Sequence, residues 1–129
     1  MKYLLALLLL FASPAWADWT LVTDNDNGTK FYIDYSTIRK DGNLRKVWEV
    51  TDFKNPETFN GLVYLSVRAR AEYDCKEERK RTLTTTAHSG LRTQGSIVWR
   101  DELPSNWNDA PPRSAMLEML QRVCRAPVP

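Results

Sequence analysis

A long alternation near the middle of the chain restricts the possible folds more than any other feature. From Val63 to Cys75, every second residue is apolar or small, and most residues between them are polar or charged. Period two over this length predicts a strand in a sheet with one buried face and one solvated face. The alternation places Cys75 on the buried face.

Shorter strands are predicted on both sides of this one. They cover residues 19–23, 30–34, 45–53, 79–89 and 96–100. Turns are expected at residues 24–28, which end in Asn-Gly, and at Asp41-Gly42. We also expect a single helical turn at residues 35–39, and a loop from Asn55-Pro56 to near Gly61. The sheet therefore has about six strands.

One helix is predicted near the C-terminus. Residues 104–112 form an extended connection rich in Pro and Asn, after which Ser114 suits a helix N-cap and Glu118 suits the helix dipole. An apolar stripe with helical spacing follows, formed by Met116, Leu117, Leu120, Val123 and Cys124. Strands in a run followed by a covering helix predict an α+β fold, with the helix packed on one face of an antiparallel sheet.

Cys75 and Cys124 are the only cysteines. An even number of cysteines in an exported chain predicts a disulfide. This bond closes a loop of about 50 residues, which the chain-entropy model values at roughly 4 kcal/mol. It ties the helix to the apolar face of the sheet, and we expect it to be largely buried.

The first 17 residues have the pattern of a signal peptide. Lys2 precedes an apolar run from Leu4 to Phe11, and Ala15-Trp16-Ala17 fits a cleavage site that leaves a domain of residues 18–129. The run is too short for a transmembrane anchor. No Cys follows it to accept a lipid, so a periplasmic or secreted protein is expected. Lys2 is the only charge removed, so the formal charge falls from +2 to +1.

Catalytic and metal-binding patterns are weak. His88 is the only histidine, which argues against histidine-dependent acid–base chemistry or a metal site. The chain has no glycine-rich phosphate loop and no nucleophile elbow. Glu72 and Asp74 form a carboxylate pair of the kind that glycosidases use, but basic residues flank them, which favours a surface charge network. We expect a protein that is not an enzyme, with no cofactor and no nucleic-acid partner.

Two features are candidates for partner binding. A basic cluster surrounds the turn at Cys75 and contains Arg68, Arg70, Lys76, Arg79, Lys80 and Arg81. It is either an ordinary solvated hairpin or a patch for acidic segments of a partner. The sequence does not fix the register of the strand at residues 79–89. Either Arg79 and Arg81 or Lys80 therefore share a face with Arg68. Trp107 is interpreted first as a plug at the sheet edge and second as an exposed anchor for a partner.

An ordered set of short segments supports a family resemblance. The segments are Phe31-Tyr32-Ile33-Asp34, residues 38–43, Val47-Trp48, residues 64–67, residues 72–76, Ser89-Gly90, Trp107, Pro112-Arg113-Ser114 and Val123-Cys124. Taken in this order, with both cysteines in place, they resemble the surface-adhesin protein E family of Gram-negative bacteria. The resemblance implies an antiparallel sheet whose concave face carries a C-terminal helix joined to it by a disulfide.

The resemblance also implies an adhesin that binds host matrix or serum proteins such as vitronectin and laminin. The family adhesin is an outer-membrane lipoprotein, whereas this chain lacks the lipid-acceptor Cys. The expected function is an exported binding domain with protein partners, and a homodimer remains open. The alternative is a periplasmic module that binds a small or lipidic ligand in the sheet concavity.

Overall fold

A computed structural model describes residues 17–129 of the chain, so the predicted signal peptide lies almost wholly outside the described residues. The described part contains seven strands, one 3-10 turn and one α-helix. They are β1 (Thr20–Asp24), β2 (Lys30–Asp41), β3 (Leu44–Phe59), β4 (Leu62–Asp74), β5 (Arg79–His88), the 3-10 turn (Leu91–Thr93), β6 (Ile97–Asp101), β7 (Asn108–Asp109) and α1 (Ala115–Arg125). Among residues 17–129, no helix has the length and apolarity needed to cross a membrane.

The strands form one antiparallel sheet in the order β1-β2-β3-β4-β5-β6. The short β7 pairs with β5 beyond the end of β6. The predicted mostly antiparallel sheet with a C-terminal helix is confirmed. Strand β7 was not predicted, because it is only two residues long and lies in the segment interpreted as an extended connection.

The hydrophobic core lies between α1 and one face of the sheet, here called the helix face. Its buried residues are Ile33, Ile38, Val47, Ala71 and Tyr73 from the sheet, with Met119, Leu120 and Val123 from the helix. Ala71 and Tyr73 are fully buried, as the alternation in β4 predicts. The predicted helix stripe is confirmed at Leu120 and Val123. Met119 was missed, and it is more buried than Met116.

The helical turn predicted at residues 35–39 is wrong, because β2 continues through them with a shift of register between Asp34 and Arg39. Local hydrogen bonds hold this bulge. The Asp34 side chain accepts from the Ser36 N–H at 3.1 Å, and the Thr37 hydroxyl accepts from the Trp48 N–H at 3.0 Å. The bulge returns Ile38 to the helix face, where it is fully buried.

The loop predicted from Asn55-Pro56 is also wrong, because β3 runs on to Phe59. The pairing with β4 shifts register between Asp52 and Glu57, and Pro56 lies in this irregular stretch. A proline has no N–H to donate, so a strand tolerates it at a bulge. The hairpin then closes at Asn60 and Gly61, both of which have positive φ.

The second face of β4 is not uniformly solvated, contrary to the prediction. Ser66, Glu72 and Asp74 belong to that face, and all are less than 9% exposed. The Ser66 hydroxyl donates to the Gly90 carbonyl at 2.6 Å, under the 3-10 turn. Glu72 and Asp74 are buried at the other end by arginines of β5, which alternation within β4 alone does not reveal.

Two contacts fix α1 on the sheet besides its apolar stripe, and a side-chain cap fixes the start of the helix. Cys75 and Cys124 form the predicted disulfide, with 5.8 Å between their Cα atoms, although both residues are half-buried rather than largely buried. The Ser114 hydroxyl caps the helix by accepting from the Leu117 N–H at 3.1 Å. At the other end, Arg45 of β3 donates to the carbonyls of Val123 and Ala126 at 2.9 Å each.

Replacing both cysteines, with Cys75→Ser and Cys124→Ser, is expected to lower the free energy of unfolding by roughly 2–5 kcal/mol. The loss should fall first on α1, because the sheet keeps its own strand pairing. Hydrogen exchange should show residues 115–125 losing protection before β3 and β4. Helix protection equal to that of the oxidised wild type would contradict this account.

Candidate binding face

The sheet face opposite α1, here called the open face, carries most of the basic residues singled out by the sequence. Residues paired across neighbouring strands share a face. Glu72 pairs with Arg81 and Asp74 pairs with Arg79, so both arginines lie on the open face with Arg68 and Arg70. Lys80 pairs with Tyr73 and lies on the helix face. This register follows a four-residue turn at residues 75–78, in which Glu78 has a φ of 51°.

At the hairpin end of the open face, two arginines enclose Trp107. The Arg79 Nε lies 3.1 Å from Asp74 Oδ2, and the Arg81 Nη2 lies 2.6 Å from Glu72 Oε1. Their guanidinium carbons lie 4.6 and 4.8 Å from the centre of the Trp107 ring. We call these five residues the arginine–tryptophan clamp. Both arginines are thereby engaged within the chain.

The clamp favours the plug interpretation of Trp107 over the exposed anchor. The indole is half-buried between the two guanidinium groups, and β7 begins at the next residue. Cation–π contacts of this kind contribute about 0.5–1 kcal/mol at exposed sites. Trp107 therefore fastens the connection before α1 to the edge of β5.

Lys80 stabilises the helix side of the sheet. Its ammonium group forms an ion pair with the buried Glu49 carboxylate, which also accepts a hydrogen bond from the Tyr73 hydroxyl. Burial and the neighbouring Glu49 charge raise the pKa of Tyr73 well above its ordinary value, so its hydroxyl stays protonated and donates. Lys76, by contrast, is exposed in the hairpin turn.

Arg68 and Arg70 occupy the centre of the open face and differ from the hairpin cations. Arg68 stacks on Trp48 with 4.4 Å between its guanidinium carbon and the ring centre. Neither arginine forms an ion pair with a carboxylate of residues 17–129. The Nε of Arg68 and the hydroxyl of Thr84, which pairs with Arg70, are buried without a hydrogen-bond partner in the described part of the chain. The charges of Arg68 and Arg70 are therefore not neutralised by a carboxylate of the described residues, and both side chains are partly exposed.

His88 lies beside this centre, at the end of β5. Burial, together with the positive charge of Arg68, lowers the pKa of the imidazole below its ordinary value. One ring nitrogen, Nε2, lies 2.8 Å from the Thr86 hydroxyl. His88 is therefore a neutral strand residue at pH 7, consistent with its interpretation as an ordinary residue of the sheet.

Glu72 and Asp74 have partners that suit charge pairing rather than acid catalysis. The backbone N–H of Glu77 and the Arg79 guanidinium keep the pKa of Asp74 below its ordinary value despite burial. A general acid needs the opposite shift. Within residues 17–129, no group of three His, Cys, Asp or Glu side chains is arranged to hold a metal ion.

Sequence comparison finds one family. The sequence profile of surface-adhesin protein E matches residues 19–125, which is most of the chain. No curated protein matches the chain.

Comparison of structures finds protein E of Haemophilus influenzae. One of its structures superposes with a TM-score of 0.62 at 16% identity and covers 84% of this chain and 88% of that one. A second crystal form gives a TM-score of 0.64 at the same identity, with 84% and 91% covered. The protein from a non-typeable strain gives 0.60 at 15% identity, with 87% and 78% covered. At these identities the likeness shows a shared fold.

The position of Arg68 is testable through the titration of His88. By NMR, the His88 imidazole should titrate below pH 6.5, and Arg68→Gln should raise its pKa because a neighbouring positive charge is lost. Burial should keep the raised value below 6.5. Lys40→Gln, an exposed change at the far end of β2, is the matched control and should leave the titration unchanged.

The same shift predicts a pH dependence of stability. Below about pH 6.5 the unfolded chain binds a proton at His88 that the folded chain does not. The His88 contribution to the free energy of unfolding should therefore decrease as the pH falls through 6.5, and His88→Gln should remove this decrease. An imidazole pKa at or above 6.5 in the folded protein would contradict both expectations.

Proposed function

Because this chain belongs to the surface-adhesin protein E family, we propose that it is an exported, non-enzymatic binding domain that holds protein partners through its open face. The observation that carries the proposal is that some basic side chains of the sheet form ion pairs within the chain and others do not. Arg79, Lys80 and Arg81 have carboxylate partners within the chain. Arg68 and Arg70 have none within residues 17–129, and they flank a half-buried tryptophan.

An aromatic ring beside two available arginines suits a protein partner with an acidic segment. Trp and Arg are enriched among the residues that dominate protein interfaces. The guanidinium group of Arg68 already lies over the Trp48 ring, so little side-chain entropy is lost when a partner carboxylate approaches. Host matrix and serum proteins are the partners that the family resemblance implies.

The double change Arg68→Gln and Arg70→Gln should weaken binding to immobilised laminin or vitronectin by roughly 3- to 10-fold, as expected for two partly exposed charge contacts. It should also reduce the dependence of binding on salt, because fewer charges are screened. Surface plasmon resonance at low and high salt measures both effects.

The matched control is Lys40→Gln with Arg122→Gln, which removes two exposed cations away from the open face and should leave binding unchanged. Equal loss in the two variants would show that only net charge matters. Binding to neither host protein by the wild type would contradict the proposal that they are its partners.

Export is part of the proposal and rests on the pattern of residues 1–17. Cleavage after Ala17 gives a mature chain that begins at Asp18, and use of Ser13-Pro14-Ala15 instead gives Trp16. We expect the intact mass of protein recovered outside the cytoplasm to match one of these two chains. A retained Met1 would show that the segment is not removed.

The alternative of a small ligand in the sheet concavity has little support on the helix face. There the side chains of Ile33, Val47 and Tyr73 pack directly with the apolar stripe of α1. A small-ligand site has more room on the open face.

A further inference from the structure

A cleft of about 410 Å³ opens on the open face, at the end distant from the arginine–tryptophan clamp. It lies where β2 and β3 pair at Lys30 and Asp52, next to the 3-10 turn. Its walls include Lys30, Tyr32, Phe53, Lys54, Leu91 and Arg92. Ligand sites for small molecules commonly have volumes of about 300–1,000 Å³.

The charge of the cleft is positive. Lys30 and Lys54 are exposed at its rim, and neither forms an ion pair within residues 17–129. Asp52 is its one carboxylate. Asp52 is buried and already engaged, because its Oδ1 accepts from the Arg92 N–H at 2.8 Å and its Oδ2 lies 3.8 Å from the Arg92 Nε. Three cations against one carboxylate leave the cleft with a surplus of positive charge.

Part of the cleft lining is apolar. The ring of Tyr32 is buried in the sheet, and Phe53 and Leu65 line the walls beside it. Leu91 is 39% exposed and holds an apolar side chain at the opening. The site therefore joins a hydrophobic surface to a cationic rim.

The 3-10 turn at the mouth is held in one conformation. Arg92 and Thr93 both have left-handed backbones, with φ of 48° and 66°. Such conformations are costly for residues other than glycine and persist only when neighbouring groups enforce them. The fully buried Ser66 does so, since its hydroxyl accepts from the Thr93 N–H at 3.1 Å, and Asp52 holds the preceding N–H. Leu91 and Arg92 therefore already occupy their positions at the mouth of the cleft before a ligand binds.

We propose that this cleft binds a small amphiphile with an apolar chain and one carboxylate group. The apolar chain lies against Tyr32, Phe53 and Leu91, and the carboxylate meets Lys30 and Lys54 at the rim. A cationic amphiphile of the same shape is repelled by the surplus positive charge. A neutral one binds more weakly, because it makes no charged contacts with Lys30 and Lys54. This site is separate from the proposed protein-binding surface at Trp48, Arg68 and Arg70.

Octanoate, octanol and octylammonium share one chain and differ in head-group charge, so they are suitable probes. Each is titrated into the full mature chain labelled with ¹⁵N. Octanoate should give saturable shifts at amides of residues 28–32, 52–54 and 91–93. Octanol should bind more weakly and octylammonium should not bind. Equal affinity for octanoate and octanol would overturn the carboxylate assignment, and the absence of saturable shifts with octanoate would overturn the site.

Two exposed lysines allow the rim to be tested without disturbing the turn. Lys30→Gln and Lys54→Gln should each weaken octanoate binding by about 2- to 5-fold, the range of an exposed charge contact, and octanol binding should not change. Lys40→Gln is the matched control. Arg68→Gln with Arg70→Gln should leave octanoate binding intact, so failure of the cleft and failure of the protein-binding surface are distinguishable. Octanoate affinity unchanged in both rim variants would overturn the proposal.

Discussion

The packing of α1 against the helix face of the sheet is the contact on which the rest of the structure depends. Tyr73 and Ala71 are fully buried in the same core as Leu120 and Val123, and Cys75, which follows β4, is bonded to Cys124 of the helix. In residues 17–129 a single α-helix covers one face of the sheet, so the main apolar cluster lies on that side. The other face of the sheet is stabilised largely by polar contacts, and Arg68, Arg70 and Trp48 at its centre stay partly exposed.

The open face shows how the same residue types take different roles according to their neighbours. Arg79 and Arg81 stack on a tryptophan and meet buried carboxylates, so their charges are satisfied inside the chain. Arg68 also stacks on a tryptophan but meets no carboxylate of the described residues. At the hairpin end, Asp74 and Glu72 neutralise the arginines, and the cluster is structural. At the centre of the face no carboxylate plays this part for Arg68, and that region is the candidate binding surface.

The sequence predicted the features that depend on periodicity, and missed those that depend on contacts between distant residues. Alternation in β4 and the helical stripe each placed a cysteine correctly, and together they gave the fold and the disulfide. The bulge after Asp34 depends on a hydrogen bond between Thr37 and Trp48, which no local pattern shows. The face of Arg81 depends on the length of the hairpin turn. The cleft depends on Ser66, which holds a turn 27 residues away.

The outer edge of β5 is closed along most of its length by a single later segment of the chain. β6 pairs with residues 85–88, Ser105 exchanges two hydrogen bonds with Thr82, and β7 pairs with Arg79 and Lys80. Two of the edge strands, β1 and β6, have only five residues each. Short edges are poor templates for strand addition. At these two short strands, and along the covered part of β5, a second copy of the chain finds little backbone with which to pair.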